Sequence, residues 1–330
     1  MVLVTWNATA DLPDFVASLD LGAIPGLEMI VVDNGSADGS AEMIERLHPA
    51  AHVIRLVENV GFAEAADRGI AESRGEAVAL LNYDLRLHPG YLAHCTDALD
   101  QDLRLGSVQG ILVRPGGQTL DSAGHVVTRG RWFRNRGENL AVGAGRWAPA
   151  STFGVTAAAA VYRRRMLDEV RDVAGHVFDR SFFAYLEDVD LDCRSRWLGW
   201  EAAVVDGATA EHAHSGSGAR RTPAIQRHIV KNRLLVLYRN EDSGNLVRDL
   251  PWIAGQQIAR WGLALLSSPS SLLGVWDFVR LRRQQRPIRA AVRRSRKISP
   301  AQMRSWFRTR PATDFSTRTG ETGAGSRTGL

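Results

Sequence analysis

The stretch LEDVDLD, residues 186–192, places four carboxylates within seven positions. Carboxylates can act as general bases, as metal ligands or as partners of cations. Apolar residues recur through it at three- and four-residue spacing, which predicts a helix whose apolar face leaves the acids off it. The members of that face are Leu186, Val189, Cys193 and Trp197. An acidic first turn of a surface helix, favoured by the helix macrodipole, explains one or two such acids but not four.

Polar residues also follow each apolar run in the first part of the chain. They are Thr5, Trp6 and Asn7; Asp33, Asn34 and Gly35; Asn59 and Gly61; and Asn82, Tyr83 and Asp84. Short apolar runs alternate here with longer helical patterns, which predicts βαβ units and a mainly parallel sheet. Ligands bind such sheets where the strands end, so these residues are expected at one rim. Taken alone, DNGSADGS could equally be a turn in which Ser36 and Asp38 cap a helix.

Composition narrows the class of protein. The chain has 330 residues, 45% of them hydrophobic, which suits one large α/β domain with additions. Cys95 and Cys193 are its only cysteines, so we expect no disulfide framework and a cytoplasmic setting. The opening MVLVTW has the pattern of a strand and not of a signal peptide. Neither a Gly-x-Gly-x-x-Gly turn nor a phosphate-binding P-loop occurs, which disfavours dinucleotide dehydrogenases and P-loop enzymes.

The positive charge is concentrated near the C-terminus. Residues 280–310 hold twelve Arg or Lys and no Asp or Glu, so the rest of the chain is net acidic although the total is +5. Nucleic-acid binding would need basic and aromatic residues mixed over a folded face, and is not expected.

Six motifs in order resemble those of the inverting family 2 glycosyltransferases, most of all the bacterial rhamnosyltransferase-like branch. They are VTWN, VVDNGSADGS, ENVGFAEAADRGI, LLNYD, FFAYLEDVDLDCRSRWLGW and EHAHSGS, and the resemblance covers roughly residues 2–240. It implies a GT-A type α/β fold: a nucleotide-sugar-binding domain with a mainly parallel central sheet flanked by helices. We therefore predict a catalytic domain over 1–240, a helical basic extension over 241–310 and a disordered tail over 311–330.

The resemblance also implies a donor site. Thr5, Asn7 and Asp33 would line the base and ribose pocket, and Asn59 and Gly61 would complete its wall. Asp67 stands where the family more often has Asn; either it touches the nucleotide or it only caps and packs.

The resemblance also implies a divalent cation, Mg²⁺ or Mn²⁺, at the end of the apolar run that precedes Asn82. Asp84 matches the last acid of the family's Asp-x-Asp, and Asn82 replaces the first. A hard cation can take its remaining oxygen ligands from the diphosphate and water. His212 fits the family's histidine ligand best, with His214 as the alternative, although two histidines in a loop can also be ordinary polar residues.

By resemblance, Asp188 is the general base and Glu187 orients it or the acceptor. Asp190 and Asp192 are expected to be structural or to bind Arg194 or Arg196, with a substrate contact as the alternative for both, and an acceptor or phosphate contact in the case of Asp190. The stretch FGVTAAAAVYRRRML resembles an acceptor loop, but Ala157 to Ala160 could also form a buried strand. The segment containing Lys231, Asn232 and Arg233 resembles the family's basic pair, which would meet an acceptor phosphate.

Two questions remain open from the sequence. The segment after residue 240 has Trp-bearing apolar stretches too short to cross a bilayer. It either lies on an anionic membrane surface or forms a helical subdomain packed on the core with a solvated basic tail. The chain is expected to transfer sugar to a lipid-linked or cell-envelope saccharide from the inner face of the membrane. The alternative is a catalytically silent nucleotide-sugar-binding or scaffolding protein.

Overall fold

The computed structural model describes residues 1–20, 24, 26–214 and 222–308. The predicted tail, 311–330, lies outside them. The strands are β1 (Val2–Thr5), β2 (Ile30–Asp33), β3 (His52–Arg55), β4 (Ala77–Asn82), β5 (Leu85–Leu87), β6 (Leu105–Val113), β7 (Leu120–Ser122), β8 (His125–Thr128), β9 (Phe133–Asn135), β10 (Ala150–Thr152), β11 (Ala159–Arg163), β12 (Glu201–His212) and β13 (Phe307–Arg308). The α-helices are α1 (Leu12–Ala17), α2 (Ser40–Leu47), α3 (Phe62–Glu72), α4 (Tyr91–Gln101), α5 (Arg164–Ala174), α6 (Glu187–Trp197), α7 (Pro223–Asn240), α8 (Ser243–Ser267), α9 (Leu273–Leu281), α10 (Arg286–Arg294) and α11 (Pro300–Arg304).

A large sheet runs in the order β10-β12-β6-β11-β4-β1-β2-β3, with β5 added to β12 and β7 to β6. The strands from β4 to β3 are parallel, whereas β11 is antiparallel to both its neighbours. The register pairs Thr5 with Asp33 and Val4 with Asn82, so these strands end at one rim. The predicted fold class, an α/β sheet flanked by helices with further C-terminal helices, is confirmed.

Helices cover both faces of the sheet because successive strand residues point to opposite sides. Val2 and Val4 of β1 pack with α3, α5 and α6, whereas Leu3 packs on the other side with α1 and α4. The buried alanines of α3 let that helix lie close to the strands. Both faces are therefore dry, and the rim of the strands is the part of the sheet open to polar chemistry.

The basic segment is not a free tail. Val292 of α10 and Met303 of α11 belong to the same apolar cluster as the central strands. Phe307 of β13 pairs with Val127 of β8 in a separate three-stranded sheet. Arg296 and Arg304 bind Asp242 and Asp249 at 2.8 and 3.0 Å. Of the two alternatives for this segment, α10 and α11 therefore follow the helical subdomain packed on the core: Val292 and Met303 are buried, whereas Arg293, Arg294 and Lys297 remain exposed.

Apolar side chains remain exposed farther from the core. Among the described residues, none of the helices has the length and apolar run needed to cross a bilayer. An apolar tip, formed by the end of α8 and by α9, exposes Ile258, Leu263, Leu265, Leu266, Leu273 and Trp276. Arg280, Arg282, Arg283 and Arg286 follow it directly in sequence and are also exposed.

Candidate active site

The ends of β1 and β2 are joined by side chains at the rim. Thr5 Oγ1 donates to Asp33 Oδ1 at 3.2 Å, and the Ser36 amide donates to Asp33 Oδ2 at 3.2 Å. Asn7 has a positive φ of 49° and binds the neighbouring turn, its Oδ1 accepting from the Ala37 amide at 2.9 Å. The structure therefore brings Thr5, Asn7 and Asp33 together, as the sequence predicts for one pocket wall.

Asn59 and Gly61 extend this wall, but the role of the glycine differs from the one expected. Asn59 Oδ1 accepts from Asn34 Nδ2 at 3.1 Å and from the Gly61 amide at 2.9 Å. Gly61 has φ +89°, and a Cβ there would lie 2.5 Å from the Phe183 carbonyl oxygen. The expectation that this glycine admits a ligand is corrected: it admits the loop that precedes α6.

Of the two roles expected for Asp67, the structure shows the second, in which it caps and packs and does not line the nucleotide pocket. Its Oδ1 accepts from the amides of Val177 and Phe178 at 2.8 and 3.2 Å. These two amides belong to the approach to α6, so Asp67 fixes the backbone that leads to the acidic helix.

Two histidines and two acids gather near the ends of β4 and β12. His212 Nε2 lies 3.3 Å from Asp84 Oδ1, and His212 Nδ1 lies 2.8 Å from Asp121 Oδ2. His214 Nε2 lies 2.6 Å from Asp121 Oδ1. Burial lowers the pKa of His212, but its bonds to Asp121 and Asp84 outweigh this and raise the pKa to about 9. Hydrogen bonds from both histidines likewise overcome burial and hold the pKa of Asp121 well below its usual range.

This cluster has the donor atoms for a cation. One ligand atom each from Asp121, His212 and His214 lies within 4.8 Å of the others. A different set of ligand atoms is Asp84 Oδ1 and His212 Nε2. In that set Asp121 orients the imidazole through Nδ1, as carboxylates commonly do behind metal-bound histidines. Imidazole together with carboxylate suits Mn²⁺ better than Mg²⁺, which prefers oxygen ligands alone. The donor set thus fits the implied cation.

Asp188 lies at the first turn of α6, close to the end of β4. Its Oδ1 accepts from the Val189 amide at 2.8 Å, and its Oδ2 from the Ala157 amide at 3.3 Å. The next residue, Ala158, accepts from the Asn82 amide at 2.8 Å. Ala157 and Ala158 thus link the carboxylate to the rim. Ala159 and Ala160 belong to β11, so for these two residues the alternative of a buried strand is confirmed.

The remaining acids of LEDVDLD are buried, so α6 is not a surface helix. Asp190 accepts from Arg194 Nε at 2.8 Å, Asn240 Nδ2 at 2.8 Å and Arg239 Nη1 at 3.1 Å. Asp192 binds His125 at 2.7 Å, not an arginine. Glu187 is also buried. The alternative of a substrate contact is wrong for both Asp190 and Asp192, because groups of the protein already bind both carboxylates.

Lys231 and Asn232 bind the loop before α6. Asn232 Nδ2 donates to the carbonyls of Phe182, Ala184 and Tyr185 at 2.9, 2.9 and 2.7 Å. Lys231 Nζ donates to the Ser181 carbonyl, and burial lowers its pKa to about 8. The expected contact of these two residues with an acceptor phosphate is corrected, because both are buried against this loop.

Sequence reasoning missed three residues of this region: Asp121, His125 and Arg239. Asp121 holds both histidines, His125 lies between two acids of α6, and Arg239 binds Asp179 as well as Asp190. Asp121 lies 91 and 93 positions before the two histidines, and His125 lies 67 positions before Asp192. No local motif marks them, and only the pairing of β7 and β8 with their neighbours reveals them.

Comparisons with known proteins agree with this geometry. The model of the family described as glycosyl transferase family 2 matches residues 1–171. An N-acetylglucosaminyl-diphospho-decaprenol L-rhamnosyltransferase of Mycobacterium tuberculosis is 27% identical over 301 residues, covering 81% of this chain and 93% of that protein.

Solved structures of glycosyltransferases share the fold. A mannosyltransferase of Pyrobaculum calidifontis bound to GDP-Man and Mn²⁺ has a TM-score of 0.52 at 18% identity, covering 89% of this chain and 84% of its own. Staphylococcus aureus TarS 1-349 bound to UDP-GlcNAc has a TM-score of 0.53 at 14% identity, covering 89% and 88%. These likenesses establish the GT-A architecture. Since the family model covers more than half of the sequence, this chain belongs to glycosyl transferase family 2 and is a glycosyltransferase.

Proposed function

We propose that this glycosyltransferase inverts the anomeric carbon of a nucleoside-diphosphate sugar, with rhamnose as the first candidate, during transfer to a hydroxyl of a lipid-linked or cell-envelope saccharide. The mycobacterial relative supports the choice of sugar and acceptor, because its name specifies an L-rhamnosyltransferase acting on a diphospho-decaprenol saccharide. The identity of 27% supports a related reaction rather than the same substrate.

The position of Asp188 is the observation that carries the proposal. Two backbone amides hold its carboxylate, one of them from Ala157, whose neighbour binds the end of β4. A base held there faces the same rim as Asp33 and Asn82, where a nucleotide sugar would present its anomeric carbon. Asp188 takes the proton of the acceptor hydroxyl, whose oxygen attacks as the bond to the diphosphate breaks.

The wall formed by Thr5, Asn7, Asp33 and Asn59 binds the nucleoside in this proposal. Asp33 offers a buried carboxylate, and hydrogen bonds to a charged acceptor are stronger than those between neutral groups. Buried against Phe183, Gly61 brings this wall into contact with the loop before α6, which leads to the base.

Asp84 and His212 would hold a divalent cation, with His214 and Asp121 as the neighbouring donors. When bound, such a cation stabilises the negative charge that develops on the leaving diphosphate. The histidines favour Mn²⁺, which is also the cation named with the Pyrobaculum enzyme.

The apolar tip of α8 and α9 meets the membrane surface in this proposal. Its exposed leucines and tryptophan can enter the interfacial layer, while Arg280, Arg282 and Arg283 face anionic headgroups. Such a contact would bring the rim towards an acceptor whose lipid remains in the bilayer. We retain the division into a catalytic part, 1–240, and an extension, 241–310, as part of this proposal.

Incubation with one donor at a time tests the function. The protein is mixed with UDP-GlcNAc, GDP-mannose or a nucleoside-diphosphate rhamnose, with Mn²⁺ and a polyprenyl-diphosphate N-acetylglucosamine. We expect one donor to raise the Tm and its sugar to be transferred, with inverted configuration by NMR. Retained configuration would exclude the mechanism. Donor binding without transfer or hydrolysis would favour the silent sugar-binding alternative.

A further inference from the structure

A histidine lies between two of the acids on α6. His125, at the start of β8, is buried, with 6% of its side chain exposed. Its Nδ1 lies 2.7 Å from Asp192 Oδ2, and its Nε2 lies 3.8 Å from Asp188 Oδ2. The first distance is a hydrogen bond, and the second is an ion-pair distance. The two edges of one imidazole thus face the proposed base and a second carboxylate behind it.

The surrounding backbone is arranged for this pair. Gly154 lies against Asp192, and a Cβ at Gly154 would overlap the carboxylate. The Val155 amide donates to Asp192 Oδ1 at 3.2 Å, and the His125 amide donates to the Gly154 carbonyl at 2.8 Å. Thr152 Oγ1 also donates to the His125 carbonyl at 2.8 Å. Strand pairing and the absence of a side chain at residue 154 therefore fix His125 relative to α6.

Charge at this site is shared among a few groups. Burial alone would lower the pKa of His125, but Asp188 and Asp192 outweigh it and raise that pKa above its ordinary value. Burial raises the pKa of Asp192, and its bond to His125 only partly offsets this rise. Tyr162 of β11 lies near both acids and near Glu187; burial raises its pKa far above the ordinary value, so it stays neutral.

We propose that His125, held by Asp192, is a positioning residue whose charge keeps the Asp188 carboxylate in the form that can take the proton of the acceptor hydroxyl. A cation beside a carboxylate favours its charged form, which is the form able to take a proton. The Ala157 and Val189 amides fix the two oxygens, and His125 supplies the nearby charge. This inference rests on the proposed role of Asp188.

NMR of full-length protein labelled with ¹⁵N-histidine tests the coupling without any substrate. The His125 signals are assigned by their loss in His125→Gln. We expect the wild-type midpoint of His125 to lie above about 6.5, the ordinary value. It should fall by roughly one unit or more in Asp192→Asn, and also fall in Asp188→Asn. A midpoint that is unchanged in Asp188→Asn overturns the proposal, because a merely structural bond to Asp192 would not respond.

A pH profile tests the consequence for activity. The donor that raises the Tm is supplied alone, and its hydrolysis is followed in wild type, His125→Gln and the control His94→Gln, an exposed histidine of α4. We expect the acid limb of His125→Gln to move up by about one pH unit, with near-normal rates at alkaline pH and an unchanged KM. Rates reduced equally at every pH would indicate a structural role and overturn the proposal.

Asp188→Asn separates this inference from the function on which it rests. If Asp188→Asn hydrolyses the donor at the wild-type rate, the assignment of the base fails. If it is inactive and His125→Gln keeps the wild-type profile, the function stands and the role of His125 fails.

Discussion

Asn232 lies on α7, yet its side-chain amide donates to the carbonyl of Tyr185, 47 residues earlier, at 2.7 Å. The same amide binds the carbonyls of Phe182 and Ala184. Phe183, Tyr185 and Leu186 all have positive φ, between 64° and 70°, which is strained for residues other than glycine. One buried amide from the C-terminal helices therefore stabilises the strained loop that leads to Glu187 and Asp188.

Replacing this amide should loosen the loop. We expect Asn232→Ala to lower the free energy of unfolding by about 1–3 kcal/mol, because buried carbonyls lose their donor. Asn232→Asp should cost more, since a carboxylate would then face three carbonyl oxygens. Chemical denaturation measures both. If both variants are as stable as wild type, the loop before α6 does not depend on the Asn232 amide.

Asp188→Asn should abolish transfer while donor binding stays nearly intact. The amide keeps the shape of the carboxylate but cannot take a proton, and loss of a general base costs roughly 10² to 10⁴ in rate. Transfer rate and donor affinity by calorimetry are the measurements. The control is Asp100→Asn, an exposed acid of α4. More than about a tenth of the wild-type rate in Asp188→Asn would be incompatible with a base at this position.

Asp84→Ala should weaken both Mn²⁺ and donor binding, and a chelator should reproduce much of this loss in the wild type. His212→Ala should weaken Mn²⁺ binding more than His214→Ala, because His212 Nε2 faces Asp84 whereas His214 faces Asp121. Electron paramagnetic resonance of Mn²⁺ gives the affinities. If both histidine variants bind Mn²⁺ as tightly as wild type, neither histidine is a ligand. If a chelator does not change the activity, the reaction does not need the cation.

A double change in the apolar tip, Leu265→Glu with Leu266→Glu, should reduce co-sedimentation with anionic vesicles several-fold. Both side chains are exposed, so the charges replace apolar groups without disturbing the core. Val247→Glu is the matched control, because Val247 is exposed on the same helix about 27 Å away along its axis. Hydrolysis of a soluble donor should not change. If wild type fails to sediment at low salt, the membrane contact is wrong.

Truncation after Asp277 should unfold the catalytic part rather than merely release it from membranes. It removes Val292, Met303 and Phe307, two of which belong to the core cluster and one to the sheet beside β8. Truncation after Arg308 keeps all three and should retain the wild-type Tm. Thermal denaturation compares the two forms. A cooperative, wild-type-like transition in the shorter form would show that α10 and α11 do not stabilise the core.

Local patterns were sufficient for the parallel strands β1 to β4 and for the rim. Alternating short apolar runs and helical patterns predicted the parallel strands, because burial on both faces demands apolar strands joined by helices. The polar residues after each run, including Asp33 and Asn82, met at one edge since parallel strands end together. These relationships depend on neighbours in sequence, and so the sequence shows them.

The partners of the acids depended on the tertiary structure. The sequence by itself determined that LEDVDLD carries four carboxylates on a helix, and its resemblance singled out Asp188. Which acid meets which partner followed from strand pairing and helix packing, which bring His125 to Asp192, and Arg239 to Asp190, across 67 and 49 residues. Charged groups in a dry interior need partners at hydrogen-bond distance, and only the folded chain decides which groups arrive there.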